Sequence, residues 1–289
     1  MTARATPRSQ PARSVRIDYV EVDGLKLRYA IRPGRGGTPL LIFNGIGANL
    51  EVVLPFIDAM RGREILIFDM PGTGGSPHSW MPRRFSGLAR IAARFLDRLG
   101  YPRVDVAGVS WGGALAQQFA RQHRRYCRRL VLAATSAGAV MVPAKLSVLA
   151  KLATPQRYLS AEYMRRAAPE IYGGELREQP ELIREHSARI MAPTTQGYLY
   201  QLLAGLGWTS LWWLHRLRQP TLILAGSDDR LVPAINARLL ALLIPNNRLH
   251  IIPGGGHLFM LHRLETVVPL ITEFLDSPNP SRGALTHAR

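Results

Sequence analysis

Short apolar runs that look like buried strands alternate with helix-like segments along most of this chain, and this alternation limits the possible folds more than any other feature. The strand-like runs are residues 15–22, 25–31, 39–44, 65–68, 104–109, 130–134, 221–225 and 249–252. Apolar residues recur at helical spacing in 86–99, 111–122, 234–243 and 264–275. Strands that alternate with helices predict an α/β fold with a mostly parallel, twisted sheet and helices on both faces. Asp23-Gly24, between the first two runs, predicts an antiparallel hairpin leading into that sheet.

The alternation stops in residues 138–219, which contain helical stretches, prolines and aromatics but no convincing buried strand. This gap predicts a helical cap inserted between two parts of one core, 15–137 and 220–276. Residues 1–14, rich in Arg, Pro, Ser and Thr, are predicted to form a disordered basic tail, and 277–289 a disordered polar tail.

A Gly-x-Ser-x-Gly sequence at positions 108–112 follows one of these strand-like runs and precedes a helix. A sharp turn there holds the serine in a strained conformation, and the flanking glycines let strand and helix approach each other. The turn lifts Ser110 Oγ out of the packed layers and places it at a helix N-terminus, which favours a developing oxyanion. The context therefore predicts that Ser110 is a nucleophile; the alternative is an ordinary strand–helix turn.

A nucleophilic serine needs a general base and a carboxylate that orients it. Of the eight histidines, His257 follows a strand-like run and a flexible Pro-Gly-Gly-Gly loop, which can carry an imidazole across the edge of the sheet. His262, near the last predicted helix, is the alternative, whereas His250 lies within a strand. Asp228 and Asp229 both follow another strand. Because adjacent side chains there point in different directions, only one of them can meet the imidazole.

The oxyanion formed by such an attack needs hydrogen-bond donors. The backbone N–H of Trp111, directly after the nucleophile, is one predicted donor. The second is expected in the loop that begins at Asn44, where Ile46 N–H is the best candidate. The same loop has the alternative interpretation of a phosphate-binding loop, but its Gly-x-Gly-x-x-Gly fingerprint is incomplete.

Together these segments resemble the α/β-hydrolases and, more narrowly, the intracellular depolymerases of medium-chain-length polyhydroxyalkanoates from pseudomonads and similar bacteria. The resemblance covers about residues 15–275, and the matching stretches are 41–51, 108–119 and 133–135 in the core and 171–174 and 205–210 in the cap. The cap matches matter most, because caps vary with substrate more than cores do. Two features depart from the family: the Pro-Gly-Gly-Gly loop before His257 and the long basic amino-terminal tail.

The resemblance implies an α/β-hydrolase fold and an enzyme that hydrolyses the esters of stored polyester to 3-hydroxyacids or oligomers, without a metal or an organic cofactor. The family's Asp-x-x-x-Pro spacing selects Asp229 as the orienting acid, since Pro233 lies four residues further on. Asn44, Trp208 and Trp212 are the candidate substrate-binding residues, the tryptophans as part of an apolar cap wall. Packing of the cap against the core is the alternative role for the cap's apolar side chains.

Two other functions use the same features. One is a hydrolase of small esters or of carbon–carbon bonds with the same triad, and the other is a non-enzymatic granule-associated protein. The related polyester synthases use a cysteine nucleophile. Here the residue in the sharp strand–helix turn, which is called the nucleophile elbow, is Ser110. The single cysteine, Cys127, lies beyond the following helix, which argues against a synthase.

An excess of basic residues is one feature of nucleic-acid-binding proteins. The 37 basic residues exceed the 20 acidic residues by 17, and all but three of the basic residues are arginine. The arginines are scattered and accompany no zinc-finger spacing or aromatic RNA-binding sequence, so no nucleic-acid partner is predicted. The chain has no run long enough to span a membrane and no secretory signal pattern. The predicted location is cytoplasmic, at storage granules, with a polyester granule or hydrophobic ester as partner.

Overall fold

The computed structural model describes residues 15–278, so the predicted tails at 1–14 and 277–289 lie outside it, apart from residues 277 and 278. Its strands are β1 Arg16–Val22, β2 Leu25–Arg32, β3 Leu40–Phe43, β4 Ile65–Phe68, β5 Val104–Val109, β6 Cys127–Ala133, β7 Thr221–Gly226 and β8 Asn247–Ile252. They form one sheet in the order β1-β2-β4-β3-β5-β6-β7-β8. The pairs from β4 to β8 are parallel, whereas β1–β2 and β2–β4 are antiparallel. The predicted α/β class is therefore confirmed.

The helices connect these strands. They are α1 Leu54–Ala59, α2 Phe85–Leu99, α3 Trp111–Gln122, α4 Leu146–Leu152, α5 Gln156–Leu159, α6 Ala161–Tyr172, α7 Pro180–Ala188, α8 Thr195–Gly205, α9 Ile235–Leu243, α10 Phe259–His262 and α11 Leu264–Asp276. The helices predicted from apolar spacing are α2, α3, α9 and α11. Helix α2 ends at Gly100, whose φ of 77° is a left-handed conformation that glycine adopts without a steric penalty.

The amino-terminal hairpin forms as its turn sequence predicts. Asp23 and Gly24 have φ values of 49° and 74°, which are the positive values that a tight two-residue hairpin turn requires. Val22 and Leu25 then face each other as the first pair of the β1–β2 register.

Two hydrophobic layers cover the two faces of the sheet. Successive side chains of a strand point to opposite faces. In β3, Leu41 and Phe43 belong to the layer that contains α2, α3 and α9, and Leu40 and Ile42 belong to the layer that contains α1, α10 and α11. A strand buried on both faces is apolar at every position, which explains the continuous apolar runs in the sequence.

Helices α4 to α8 all lie between β6 and β7, and no described residue of this segment joins the sheet. Helices α4, α6 and α7 pack a hydrophobic cluster of their own, which includes Val148, Met164 and Ile171. The fold class with a helical insertion is thus confirmed, while the domain division at residues 138 and 219 stays a prediction. We call this insertion the cap. It lies against loops that follow the carboxyl ends of the parallel strands, as the hydrogen bond from Gly47 N to Gln201 Oε1 shows (2.9 Å).

Candidate active site

Ser110 occupies a strained turn between β5 and α3. Its φ is 56°, a value that a residue with a Cβ rarely adopts. The glycines beside it leave no room for a side chain: a Cβ on Gly108 would lie 2.3 Å from the carbonyl oxygen of Gly112, and one on Gly112 would lie 2.2 Å from that of Phe43. The strand, turn and helix therefore pack as closely as the elbow interpretation requires.

Asp229 and His257 form a buried pair on the loops after β7 and β8. His257 Nδ1 lies 2.8 Å from Asp229 Oδ2, and both side chains are buried. The other carboxylate oxygen of Asp229 accepts hydrogen bonds from the backbone N–H groups of Leu231 (2.9 Å) and Val232 (2.8 Å). The backbone N–H of His257 donates to the carbonyl of Tyr172 at 2.7 Å. With Nδ1 held by a carboxylate, Nε2 is the nitrogen that remains for proton transfer.

Asp228 has a different role from its neighbour. Its Oδ2 accepts a hydrogen bond from Gly174 N (2.7 Å) and lies 2.6 Å from a guanidinium nitrogen of Arg177. Both partners belong to the cap, so Asp228 joins the cap to the loop after β7. The structure thus separates the two adjacent aspartates, of which Asp229 meets the imidazole. The alternative histidine, His262, ends α10, and its Nδ1 has no hydrogen-bond partner among the described residues.

Ser110 and His257 line one pocket beneath the cap. Its apolar wall consists of Ile42, Ala48, Val52, Val53, Phe56, Val109, Leu231, Leu258, Met260 and Leu261. Polar side chains are a minority of the lining residues, as in most small-molecule sites. Such a pocket suits a reacting carbonyl group that carries an alkyl chain.

The predicted oxyanion loop passes directly beside the nucleophile. A Cβ on Gly45 would lie 3.9 Å from Ser110 Cβ, and Ile46 lines the pocket. The carbonyl of Ile46 accepts a hydrogen bond from the Tyr158 hydroxyl at 2.6 Å, which ties this loop to the cap. The backbone N–H of Trp111 begins α3 next to Ser110. Both donors remain predictions, and both lie on segments adjacent to Ser110.

Asn44 lines the pocket and also fixes the shape of this loop. Its Oδ1 accepts from Gly45 N at 2.9 Å, and its Nδ2 donates to the carbonyl of Asn49 at 2.8 Å. Both amide atoms of Asn44 therefore form hydrogen bonds within the loop, so the side chain would contact a ligand mainly through its surface in the pocket.

The two candidate tryptophans lie away from this pocket, and a substrate-binding role for them stays a prediction. Neither Trp208 nor Trp212 is among the residues that line the pocket. Trp208 packs on Phe85, with ring centroids 5.0 Å apart, and its indole N–H donates to Gln118 Oε1 at 2.9 Å. Trp212 is 72% exposed. Trp208 lies where the cap returns to the core and covers the α2–α3 surface, so the packing alternative describes it.

Sequence reasoning missed four polar pocket residues, all from the cap: Arg157, Tyr158, Tyr172 and His186. Tyr172 lies in residues 171–174, which match the family, and this match was the one sequence feature that could have identified it as a pocket residue. The other three stand in no recognisable spacing. Burial, reinforced by nearby positive charge, lowers the pKa of His186 to about 3, so its imidazole is neutral at physiological pH.

No metal-binding arrangement occurs in the described part of the chain: no three His, Cys, Asp or Glu side chains come together in a way that could hold an ion. Within residues 15–278, the helices are also too short or too polar for any of them to cross a bilayer.

The parallel sheet, the serine elbow and the Asp–His pair define a class of protein, and sequence comparison agrees. The sequence profile of the alpha/beta hydrolase fold matches residues 38–263, so this chain belongs to the α/β-hydrolase family.

A particular relative agrees with the narrower resemblance. The poly(3-hydroxyalkanoate) depolymerase of Ectopseudomonas oleovorans is 54% identical over 272 residues, which cover 93% of this chain and 95% of that protein. The 2-hydroxy-6-oxo-2,4-heptadienoate hydrolase of Pseudomonas putida is 28% identical over 257 residues, covering 83% and 89% of the two chains. Among solved structures, a meta-cleavage product hydrolase from Pseudomonas fluorescens superposes with a TM-score of 0.77 at 21% identity, covering 91% of this chain and 98% of that one. The resemblance to polyhydroxyalkanoate depolymerases is confirmed.

Proposed function

We propose that this protein is a serine hydrolase that cleaves the ester bonds of intracellular medium-chain-length poly(3-hydroxyalkanoate) and releases 3-hydroxyacids or oligomers. The observation that carries the proposal is the apolar pocket that contains both Ser110, in its strained turn, and His257, paired with buried Asp229. The depolymerase that is 54% identical over nearly the whole chain supports the polyester as substrate.

The first half of the proposed reaction is acylation of Ser110. His257 Nε2 takes the hydroxyl proton as Oγ forms a bond to the ester carbonyl carbon, and the carbonyl oxygen becomes an oxyanion. The backbone N–H groups of Ile46 and Trp111 stabilise this charge, an effect usually worth about 3–4 kcal/mol for each donor. The C–O bond to the leaving unit then breaks, and the alkoxide takes the proton from His257 to become a hydroxyl group.

The second half is hydrolysis of the acyl-enzyme. Water loses a proton to His257 as its oxygen bonds to the acyl carbon, and collapse of the intermediate breaks the bond to Ser110 Oγ. The serine recovers its proton and a carboxylic acid is released. Throughout both halves, Asp229 holds the imidazole in one tautomer and stabilises the imidazolium. Every proton that moves in these two steps is donated and accepted by protein side chains, water or the substrate.

The apolar pocket wall accounts for a medium-chain preference. Each additional methylene that leaves water contributes about 0.8 kcal/mol. Val52 and Val53 lie between β3 and α1, and Phe56 lies in α1. Because Met260 and Leu261 belong to α10, both sides of the pocket are core elements. A hydroxyacid with a longer alkyl side chain therefore gains more from this pocket than 3-hydroxybutyrate does.

The proposed location is the surface of cytoplasmic polyester granules. Large apolar side chains are exposed on the cap, including Leu146 (83%), Trp212 (72%) and Leu206 (65%). Exposed apolar groups of this size favour contact with an apolar surface. Trp212, which does not line the pocket, contributes to attachment in this view.

A hydrolase of small molecules is the second candidate function. Its support is the similarity to the heptadienoate hydrolase and to the structure of the meta-cleavage product hydrolase. The two functions differ in whether a polymer is attacked.

The test compares amorphous granules of medium-chain and short-chain poly(3-hydroxyalkanoate) with p-nitrophenyl octanoate and acetate. We expect wild-type enzyme to release hydroxyacids from the medium-chain granules faster and to prefer the octanoate ester, and Ser110→Ala to do neither. Rapid turnover of small esters with no attack on medium-chain granules would contradict the depolymerase proposal and favour the second candidate.

A further inference from the structure

Arg157 is the feature of the pocket that the reaction described above leaves unused. It lies on α5, is 3% exposed, and lines the pocket with Ser110 and His257. A guanidinium keeps its charge at all physiological pH values, and burying a charge is costly unless it has a partner.

The protein gives this cation neutral partners. One terminal nitrogen of Arg157 donates to the Tyr198 hydroxyl at 2.9 Å, and the other lies 3.4 Å from the Tyr158 hydroxyl. Its Nε has no hydrogen-bond partner among residues 15–278, and no carboxylate from that range pairs with it. The Tyr158 and Tyr198 rings lie 4.6 Å and 5.5 Å from the guanidinium carbon, which is cation–π distance.

The remaining pocket groups supply no negative charge. The residues that line the pocket include no Asp or Glu. Burial raises the pKa of the Tyr172 phenol and lowers that of the His186 imidazole, so both side chains are neutral. Asp229 does not line the pocket, and its Oδ2 lies 2.8 Å from His257 Nδ1. The pocket wall is therefore apolar and positive at one point, which fits a ligand that carries a single anionic group.

The tyrosines fix Arg157 relative to the oxyanion loop. The Tyr158 hydroxyl donates to the carbonyl of Ile46 at 2.6 Å, and the Tyr198 hydroxyl donates to the carbonyl of Leu152 at 2.7 Å. A Cβ on Gly47 would come within 2.6 Å of the Tyr158 ring, so this loop and the ring are in close contact. Arg157 is thus held by side chains that contact the segment carrying the predicted oxyanion donor.

We propose that Arg157 binds the free carboxylate at the carboxyl terminus of the polyester chain, so that the enzyme removes 3-hydroxyacid units from that end. This inference rests on the proposed function and adds the direction of attack. The unit that stays on Ser110 retains the hydroxyl end of the chain, and the unit that leaves retains the carboxyl end. A substrate carboxylate near the reacting ester therefore belongs to the leaving unit.

The bond changes are those of the acylation step. The bond from Ser110 Oγ to the carbonyl carbon of the penultimate unit forms, and the ester C–O bond to the terminal unit breaks. The terminal unit takes the proton from His257 and departs as a 3-hydroxyacid with its carboxylate. Water then releases the shortened chain from Ser110 as a new carboxylate, which is the next group for Arg157 to bind.

The experiment measures a ratio, kcat/KM for the dimer of 3-hydroxyoctanoate as the free acid divided by kcat/KM for its methyl ester. The wild-type ratio should exceed one, because only the free acid offers a carboxylate. In Arg157→Gln the ratio should fall by about 10- to 100-fold, the effect expected for losing a charged hydrogen bond. Arg165→Gln, on the exposed face of α6, is the matched control and should keep the wild-type ratio.

Because the ratio divides out a general loss of activity, a purely structural role for Arg157 would lower both rates and leave the ratio unchanged, which would overturn the proposal. Arg157→Lys restores the charge and should recover part of the ratio if Arg157→Gln folds poorly. A wild-type ratio of one, with both dimers hydrolysed, would also overturn this proposal while leaving the proposed function intact. If no ester were hydrolysed, including p-nitrophenyl octanoate, the proposed function itself would fail.

Discussion

A charged side chain is buried near each end of the sheet, and the two differ in whether an oppositely charged side chain pairs with them. At the amino end, Asp105 near the start of β5 is 0% exposed and lies 2.6 Å from Arg128 and 3.2 Å from Arg63. At the carboxyl end, Arg157 of the cap is 3% exposed but has phenol groups as its partners. A buried charge with ionic partners in its own chain serves the fold, whereas one without them is available to a ligand.

The same contrast separates the two adjacent aspartates at the carboxyl end. Asp228 forms an ion pair with Arg177 and holds the cap. Asp229 is fully enclosed and has its carboxylate oriented by two backbone N–H groups toward His257. Two adjacent positions thus place one carboxylate against the cap and the other against His257.

Ser110→Ala gives the largest expected effect. Removing the nucleophile should lower kcat/KM on p-nitrophenyl octanoate by about 10⁴- to 10⁶-fold, as in other serine hydrolases. The free energy of unfolding, measured in urea, should change by less than about 1 kcal/mol, because the substitution removes one oxygen at the pocket surface. More than a few per cent of residual turnover would remove Ser110 from the mechanism.

Asp229→Asn should follow, with a loss of about 10⁴-fold in kcat, because an amide at this position favours the wrong imidazole tautomer. Asp228→Asn is the matched control one residue away. It loses the ion pair to Arg177 and should affect the attachment of the cap more than the chemistry, with a loss of kcat of less than about 10-fold. Equal losses in kcat, or the reverse order, would show that the two roles are assigned wrongly.

Asp105→Asn tests the other end of the sheet. It removes the buried carboxylate that Arg63 and Arg128 share, and breaking a buried pair costs about 3–5 kcal/mol of unfolding free energy. Asp276→Asn is the control, since Asp276 also pairs with Arg63 but its side chain is 59% exposed, so it should cost less than about 1 kcal/mol. The kcat of folded Asp105→Asn should stay near the wild-type value, and a large fall in kcat would break the proposed separation of the two ends.

His186 gives the smallest effect, a pH dependence of stability. Its pKa is about 3 in the folded protein, against 6.5 for an ordinary imidazole, so between these values the unfolded chain binds more protons than the folded one. The free energy of unfolding should therefore fall as pH drops through this window, by up to about 1.4 kcal/mol per pH unit from this residue. His186→Gln should show a shallower slope in urea unfolding between pH 6 and 4, and exposed His215→Gln the wild-type slope. Identical slopes for all three proteins would contradict the burial of a neutral imidazole.

The sequence was sufficient for the sheet and the elbow because both depend on local patterns. Apolar runs and helical spacing identify strands and helices directly. The Gly-x-Ser-x-Gly turn is recognisable because the close approach of strand and helix requires glycine at positions 108 and 112. The choice between Asp228 and Asp229 needed a family spacing, because both follow the same strand and only the fold shows which carboxylate meets His257.

The cap was the limit of sequence reasoning. The large apolar side chains of Trp208 and Trp212 suit an apolar substrate, but the same property suits packing or contact with an apolar surface. In the sequence, Arg157 cannot be distinguished from the many other arginines, since its burial depends on where α5 lies relative to the oxyanion loop. Contacts between segments distant in sequence leave no periodic signal, so these roles emerge only from the three-dimensional structure.

The most direct test of the account is labelling with a serine-reactive fluorophosphonate, followed by mass spectrometry of the digested protein. The account predicts one labelled residue, Ser110, in wild-type enzyme, with the same site labelled in folded Asp105→Asn. Labelling should be much slower in Asp229→Asn and absent in Ser110→Ala. Labelling of a different residue in wild-type enzyme, or undiminished labelling of Ser110→Ala, would contradict the assignment of the carboxyl end of the sheet as the site of ester hydrolysis.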